Sequence, residues 1–143
     1  EADLVAAALD GLAVRTVINP DHRDGQMTSV RAGLAALGAP VDGIMICLAD
    51  QPFVEAEDYR ALIAAFATGG DKSVVVPTHG GRRGNPIVLA AAHREEILAR
   101  GANLGCKQFI ARNPDLVATV AFDTDAFVRD IDTPADYRET VER

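Results

Sequence analysis

An open α/β sheet, mostly parallel and with helices on both faces, is the architecture this sequence predicts, on three observations. Short apolar runs at Ala13–Asn19, Gly43–Ala49 and Ser73–Pro77 alternate with segments of helical periodicity. The run Gly43–Ala49 has no polar alternate, as expected of a strand covered on both faces in a parallel sheet. Composition agrees: 48% hydrophobic and 24% charged residues exclude a disordered chain. The preponderance of Ala, Val, Leu and Ile over aromatics suits helices packed on a buried sheet.

Taken in order, residues 1–10 read as a helix that ends near Gly11, and Ala13–Asn19 as a β-branched strand closed by Asn19-Pro20. Thr28 or Ser29 can cap a helix running through Leu37, which Gly38 and Pro40 stop. After the strand Gly43–Ala49, acidic residues in the first turn open a helix over Glu55–Ala67, ended by Gly69-Gly70. Ser73–Pro77 and Pro86–Leu89 read as strands on either side of the glycine-rich HGGRRGN. Helices follow at Ala90–Arg100 and Leu104–Arg112, then a strand at Leu116–Phe122 and a closing helix at Pro134–Val141. With no repeat, linker or low-complexity stretch, residues 1–143 read as a single domain, long enough for one core.

Bulk properties exclude several function classes. A net charge of −7 without a run of Lys and Arg argues against nucleic acid as a partner. No apolar run reaches membrane-span length and no signal-peptide pattern opens the chain, so the expectation is a cytoplasmic protein without a membrane partner. In that compartment Cys47 and Cys106 are expected as free thiols. His22, His79 and His93 lack metal-ligand spacing and read as surface or loop residues.

The apolar strand Gly43–Ala49 stops on Asp50-Gln51-Pro52. Asp and Pro are ordinary turn residues. In open α/β sheets, however, ligands bind beyond the carboxyl ends of the strands, which puts Asp50 where chemistry would occur. The loops after Asn19 and Pro77 share that rim.

Four segments carry a family resemblance: NPDHRDGQMTSVRAGLAAL (19–37), LADQPFV (48–54), GRRGNPIVL (81–89) and DIDTPADY (130–137). In this order they resemble the MobA-like NTP transferases, most closely the molybdenum-cofactor cytidylyltransferase branch, from about Val14 to the C-terminus. The resemblance implies a Rossmann-like sheet of the nucleotide-diphospho-sugar transferase type. It also implies Mg2+-dependent transfer of a nucleotide, CMP from CTP above all, to a molybdopterin-type cofactor with release of pyrophosphate. A molybdoenzyme or its chaperone would be the protein partner. Other expectations in the same frame are GTP as donor or another phosphorylated small-molecule acceptor. A non-catalytic cofactor-binding module is the reading from a different class.

By the resemblance, Asp50 is the principal catalytic metal ligand and Asp132 the second, with Asp130 beside it on the acceptor side. If residues 130–132 are extended, Asp130 and Asp132 project to one side and Ile131 to the other. Asp132-Thr133-Pro134 equally suits an ordinary helix start. Gly25, Thr28 and Ser29 resemble the loop that recognises base and ribose, and the same residues suit an N-cap. Arg83, Gly84 and Asn85 resemble the acceptor loop, where Arg82 or Arg83 could meet a phosphate, though HGGRRGN also suits a plain hairpin turn. Mg2+ matches the site in kind, since it takes one or two carboxylates with phosphate oxygens and water.

The sequence departs from the family at two places. The opening strand and the LAAGxSxRMG loop, which cradle the triphosphate, have no counterpart in residues 1–13. The expectation is therefore an N-terminally incomplete domain, with a gap in its sheet and no turnover from residues 1–143 alone. At 102–107, ANLGCK stands where relatives show a GDxGAR-like run, with Asn103 replacing an acidic residue.

Overall fold

Three successive valines make Val74–His79 the strand on which the sheet assembles, since β-branched side chains suit a pleated surface buried on both sides. The computed structural model describes residues 2–38, 40–99 and 106–141. Among these, the strands are β1 (Gly43–Ile46), β2 (Val74–His79), β3 (Arg82–Arg83), β4 (Ile87–Ala90) and β5 (Val117–Ala121). They form one open sheet in which β1 pairs β4, β4 pairs β2, and β2 also holds β3 and β5.

The open α/β class is as expected, but among the described residues the sheet is mixed rather than mostly parallel, with three antiparallel ladders and one parallel. β2 and β5 are parallel, with Val74 opposite Val117 and Thr78 opposite Ala121. β4 runs antiparallel to both β1 and β2, so β1, β2 and β5 point one way with β4 between the first two. The cause is the short return from β2 through residues 80–86, which is too brief for the crossover a parallel partner requires.

Alternation along β2 divides the core in two. Val74 and Val76 join Leu34, Ile44, Ile97, Phe109 and Ile110 beneath α2 (Gln26–Ala36), α4 (Arg94–Ala99) and α5 (Cys106–Arg112). Val75 faces the other way, with Val54, Leu62, Val88 and Phe127, beneath α3 (Ala56–Thr68). A capping box between Glu55 and Asp58 starts α3 one residue inside the expected Glu55. Arg94 donates from Nε to the Leu34 carbonyl at 2.8 Å and from Nη2 to that of Leu37 at 3.2 Å, tying α4 to the end of α2. The chain opens with α1 (Ala2–Ala8) and closes with α6 (Pro134–Val141). Among the described residues no helix is long and apolar enough to cross a membrane.

Three expectations are corrected. Ala13–Asn19 forms no strand, and Val14, Val17 and Ile18 are exposed by 57%, 44% and 69%. β-Branched residues form a strand only against a neighbour, and none pairs with them here. β1 is likewise shorter than Gly43–Ala49, with only Ile44 buried. Among the described residues its one partner is β4, and its other edge faces an apolar groove of about 470 Å3 against α2. Both faces of β1 are covered as expected, Ile44 and Ile46 on one core and Met45 on the other; what is absent among the described residues is a second pairing partner.

The third correction concerns α2, which starts at Gln26 with Gly25 as its N-cap residue. At φ 109° Gly25 takes a conformation that a side chain would strain, so neither Thr28 nor Ser29 is the cap. The helix expected over Ala90–Arg100 opens as a 3-10 turn at Ala91–His93 before α4. Asn103, with most of ANLGCK and the expected start of the next helix at Leu104, lies outside the described residues.

Candidate active site

Asp50 follows β1 at the carboxyl end of the sheet, with one carboxylate oxygen, Oδ1, buried and without a hydrogen-bond partner. The late acidic segment lies against it. The Ile131 amide donates to the Asp50 carbonyl at 2.8 Å. Gln51 Nε2 donates to Asp130 Oδ1 at 2.6 Å and to the Phe127 carbonyl at 3.2 Å. The Arg129 guanidinium stacks 3.9 Å above the Phe53 ring, adding a cation–π contact between the same two segments. LADQPF and the DID segment, about eighty residues apart in sequence, are thus one structural unit.

Asp130 and Asp132 are exposed while Ile131 is half-buried, the alternation expected of an extended segment. The helix start that could have claimed Asp132 is served by its neighbour. Thr133 Oγ1 accepts from the Asp136 amide at 3.2 Å, and Asp136 Oδ2 accepts from the Thr133 amide at 2.7 Å. Hydrogen bonds from the Thr133 hydroxyl and amide hold the Asp136 carboxyl below its ordinary value. The Asp132 carboxylate is left out of this cap. No hydrogen bond joins the Asp132 and Asp50 side chains.

The glycine-rich turn does form a hairpin. Gly80 and Gly81, at φ 56° and 78°, let Arg82 and Arg83 pair back on His79 and Thr78. The chain then plunges inward: the Gly84 amide donates to the Pro77 carbonyl and the Asn85 amide to that of Phe127, each at 2.9 Å. A Cβ at Gly84 would collide with the Phe127 carbonyl and stand 2.7 Å from the Phe127 Cβ, so this close approach requires glycine. The Phe127 carbonyl therefore takes donors from both Gln51 and Asn85, which brings the GNP motif to the acidic segment.

Beside this junction lies a cavity of about 270 Å3 lined by Arg83, Gly84, Asn85 and Lys107 with Val76, Ile87 and Ile110. Among the described residues the one ion pair is Arg60–Glu57, so neither Arg83 nor Lys107 is neutralised by a carboxylate. Arg82 instead reaches the Val128 carbonyl at 3.5 Å. Sequence reasoning missed Lys107; its only signal was its place at the end of ANLGCK.

Gly25, Thr28 and Ser29 also gather. Asn19 Nδ2 donates to Thr28 Oγ1 at 2.8 Å and to Ser29 Oγ at 2.9 Å, and Thr28 Oγ1 donates to the Gly25 carbonyl at 2.7 Å. Asn19, read only as the end of a strand, is thus the residue that orders Gly25, Thr28 and Ser29. Ser29 lines the groove along β1 together with Leu48 and Ala49, one residue before Asp50. In the same wall, desolvation pushes the Cys47 thiol up, away from a reactive thiolate.

A hard divalent cation fits this donor set. Among the described residues no three His, Cys, Asp or Glu side chains converge, which excludes a full protein cage. An uncommitted Asp50 oxygen beside an exposed acidic segment instead suits an ion that keeps most of its shell for water and phosphate. Asp50, through that oxygen, and the exposed Asp132 could hold such an ion.

The family model described as MobA-like NTP transferase domain matches residues 1–117. The chain is 38% identical over 68 residues to 2-C-methyl-D-erythritol 4-phosphate cytidylyltransferase of Salinibacter ruber. That match takes in 48% of the chain and spans 28% of the relative's length. Among solved structures, Rv0371c of Mycobacterium tuberculosis H37Rv superposes with a TM-score of 0.76 at 26% identity, covering 99% of this chain and 72% of that one. Its complex with manganese gives 0.73 at 25% identity, covering 99% and 74%. A 4-diphosphocytidyl-2C-methyl-D-erythritol synthase from Anaerococcus prevotii reaches 0.76 at 15% identity, covering 99% and 74%, a likeness of fold alone.

Proposed function

Because this chain belongs to the MobA-like NTP transferase family, we propose that it serves a Mg2+-dependent nucleotidyltransferase. The donor in this reading is CTP, which gives up CMP to a phosphorylated small-molecule acceptor as pyrophosphate leaves. The observation that carries it is the meeting of LADQP, GNP and DID at Phe127–Ile131, with an unpartnered oxygen on Asp50. Asp50 and Asp132 would hold Mg2+, whose chemistry when bound is to offset charge building on the phosphates. The protein's own share is positioning, which supplies much of the rate in phosphoryl chemistry. Ser29 and Thr28, ordered by Asn19, face the base and ribose. Arg83 and Lys107 hold an acceptor phosphate, while the Asn85 amide side chain orients the acceptor beside it.

For the acceptor, the four-motif resemblance favours a molybdopterin-type cofactor in a cytoplasmic setting, handed on to a molybdoenzyme or its chaperone. The Salinibacter ruber relative, whose name specifies a methylerythritol phosphate, favours a sugar phosphate as the second reading. The test is pyrophosphate release by the full-length protein with CTP, GTP or ATP, with each acceptor in turn, and with Mg2+ or Mn2+. CTP-dependent release with the molybdopterin-type acceptor supports the first reading, and release with only the sugar phosphate supports the second. Asp50→Ala should lower turnover at least about a hundredfold with the fold intact by circular dichroism. Binding of an acceptor without release under any condition would leave a non-catalytic module.

A further inference from the structure

Gln51 is 5% exposed, the one polar or charged residue buried among the described residues. Its amide orientation is set by its partners: Asp130 Oδ1 and the Phe127 carbonyl both accept, so the nitrogen must face them. That leaves Gln51 Oε1 without a partner, like Asp50 Oδ1 next to it. A buried acceptor left unpaired costs stability, and an apolar side chain of the same volume would avoid that cost. The amide must therefore serve something other than packing. Its 2.6 Å bond to Asp130 is the shortest side-chain link between the LADQP and DID motifs. The Ile131 amide on the Asp50 carbonyl makes the second link, one residue later in DID and one earlier in LADQP.

We propose that Gln51 is a positioning residue, acting through Asp130 to set segment 130–132 so that Asp132 and Asp50 face one divalent cation. This rests on the reading of Asp50 and Asp132 as the residues that hold the ion. In it Asp130 is a strut: one of its oxygens is spent on the Gln51 amide. What matters at position 130 is then an acceptor oxygen rather than a charge.

Free Mn2+ measured by electron paramagnetic resonance over the full-length protein reads this without any turnover. Gln51→Met keeps the volume and removes the N–H donor, while Asp130→Ala removes the acceptor. Each is expected to weaken Mn2+ binding by about 10- to 100-fold, the range for residues that orient metal ligands. The double variant should be no weaker than the worse single by more than about twofold, because both changes break one link. Asp130→Asn, which keeps an acceptor oxygen and loses only the charge, should weaken binding clearly less than Asp130→Ala. Unchanged binding in Gln51→Met, or independent and additive losses, would overturn the proposal, as would an Asp130→Asn variant as weak as Asp130→Ala. If Gln51→Met does not fold, the Asp130 pair on its exposed site decides the matter alone. Asp50→Ala separates the two levels: retained Mn2+ there overturns the cation reading and this proposal with it. Lost binding in Asp50→Ala beside normal binding in Gln51→Met overturns the clamp only.

Discussion

At the scale of single residues, the site divides into those whose meaning is local and those whose meaning is made by the fold. The places of Asp50 after β1 and of Asn85 before β4 were legible in the sequence, because each borders an apolar run inside a recognisable motif. Gln51, Asn19 and Lys107 were not. The partner of Gln51 lies 79 residues away, and no periodicity or spacing connects them. Lys107 of α5 meets Arg83 of β3 and Asn85 only in the fold, at the cavity that all three line. That placement makes a separable prediction. Lys107→Ala removes one of two unneutralised cations from the acceptor side, so the acceptor KM should rise about tenfold or more, the worth of a hydrogen bond to a charged group. The KM for CTP should hold, since the Asn19–Thr28–Ser29 group lies at a different wall. Initial-rate titration of both substrates checks it, and a rise confined to CTP would assign the cavity to the wrong substrate.

At the scale of elements, burial and capping decided what formed. Pro134–Val141 came out at its expected bounds because Thr133 and Asp136 supply a cap that needs nothing beyond four consecutive residues. Ala13–Asn19 failed because a strand is a pairing, and propensity cannot supply a neighbour. The cap predicts a pH dependence. Hydrogen bonds depress the Asp136 pKa in the folded state, so their stabilisation is present above the ordinary carboxylate value of about 3.9 and fades as pH falls through the lowered one. Asp136→Asn should therefore lower the thermal midpoint at neutral pH and flatten its decline on acidification. Thermal unfolding of both proteins between pH 2 and 7, roughly the span over which carboxylates titrate, tests this. Equal acid slopes would deny the cap that role. Gly84 gives a second test at this scale: Gly84→Ala forces a Cβ against Phe127 and should cost about 1–3 kcal/mol, the usual penalty of overpacking. Denaturant unfolding would show it as a lower midpoint with the slope unchanged.

At the scale of the molecule, charge sets the terms on which a triphosphate can approach. The chain carries −7, with 21 acidic residues against 14 basic ones, and the acidic motifs that meet at the site add to the repulsion locally. On the proposed reading Arg83 and Lys107 serve the acceptor and do little for the nucleotide, since they line a different cavity from Ser29. A nucleotide should therefore bind weakly to the metal-free protein, and the divalent cation should act as a binding partner as much as a chemical one. Monovalent salt discriminates this from a basic phosphate site. Screening weakens attraction and repulsion alike, over a Debye length of about 10 Å at 0.1 M. Where basic residues hold the phosphates, adding salt loosens binding. Here, with EDTA present, adding salt should leave CTP affinity level or raise it, because what is screened is repulsion. With saturating Mg2+ the affinity should rise at least about tenfold and then fall with salt in the ordinary way, the ion now supplying attraction. Calorimetric titration of CTP into the full-length protein, with EDTA and with Mg2+, at low and physiological ionic strength, gives the four affinities required. Tight, salt-sensitive CTP binding in EDTA would show that basic groups outside the Asp50 site hold the triphosphate, and that the cation enters only for the chemical step.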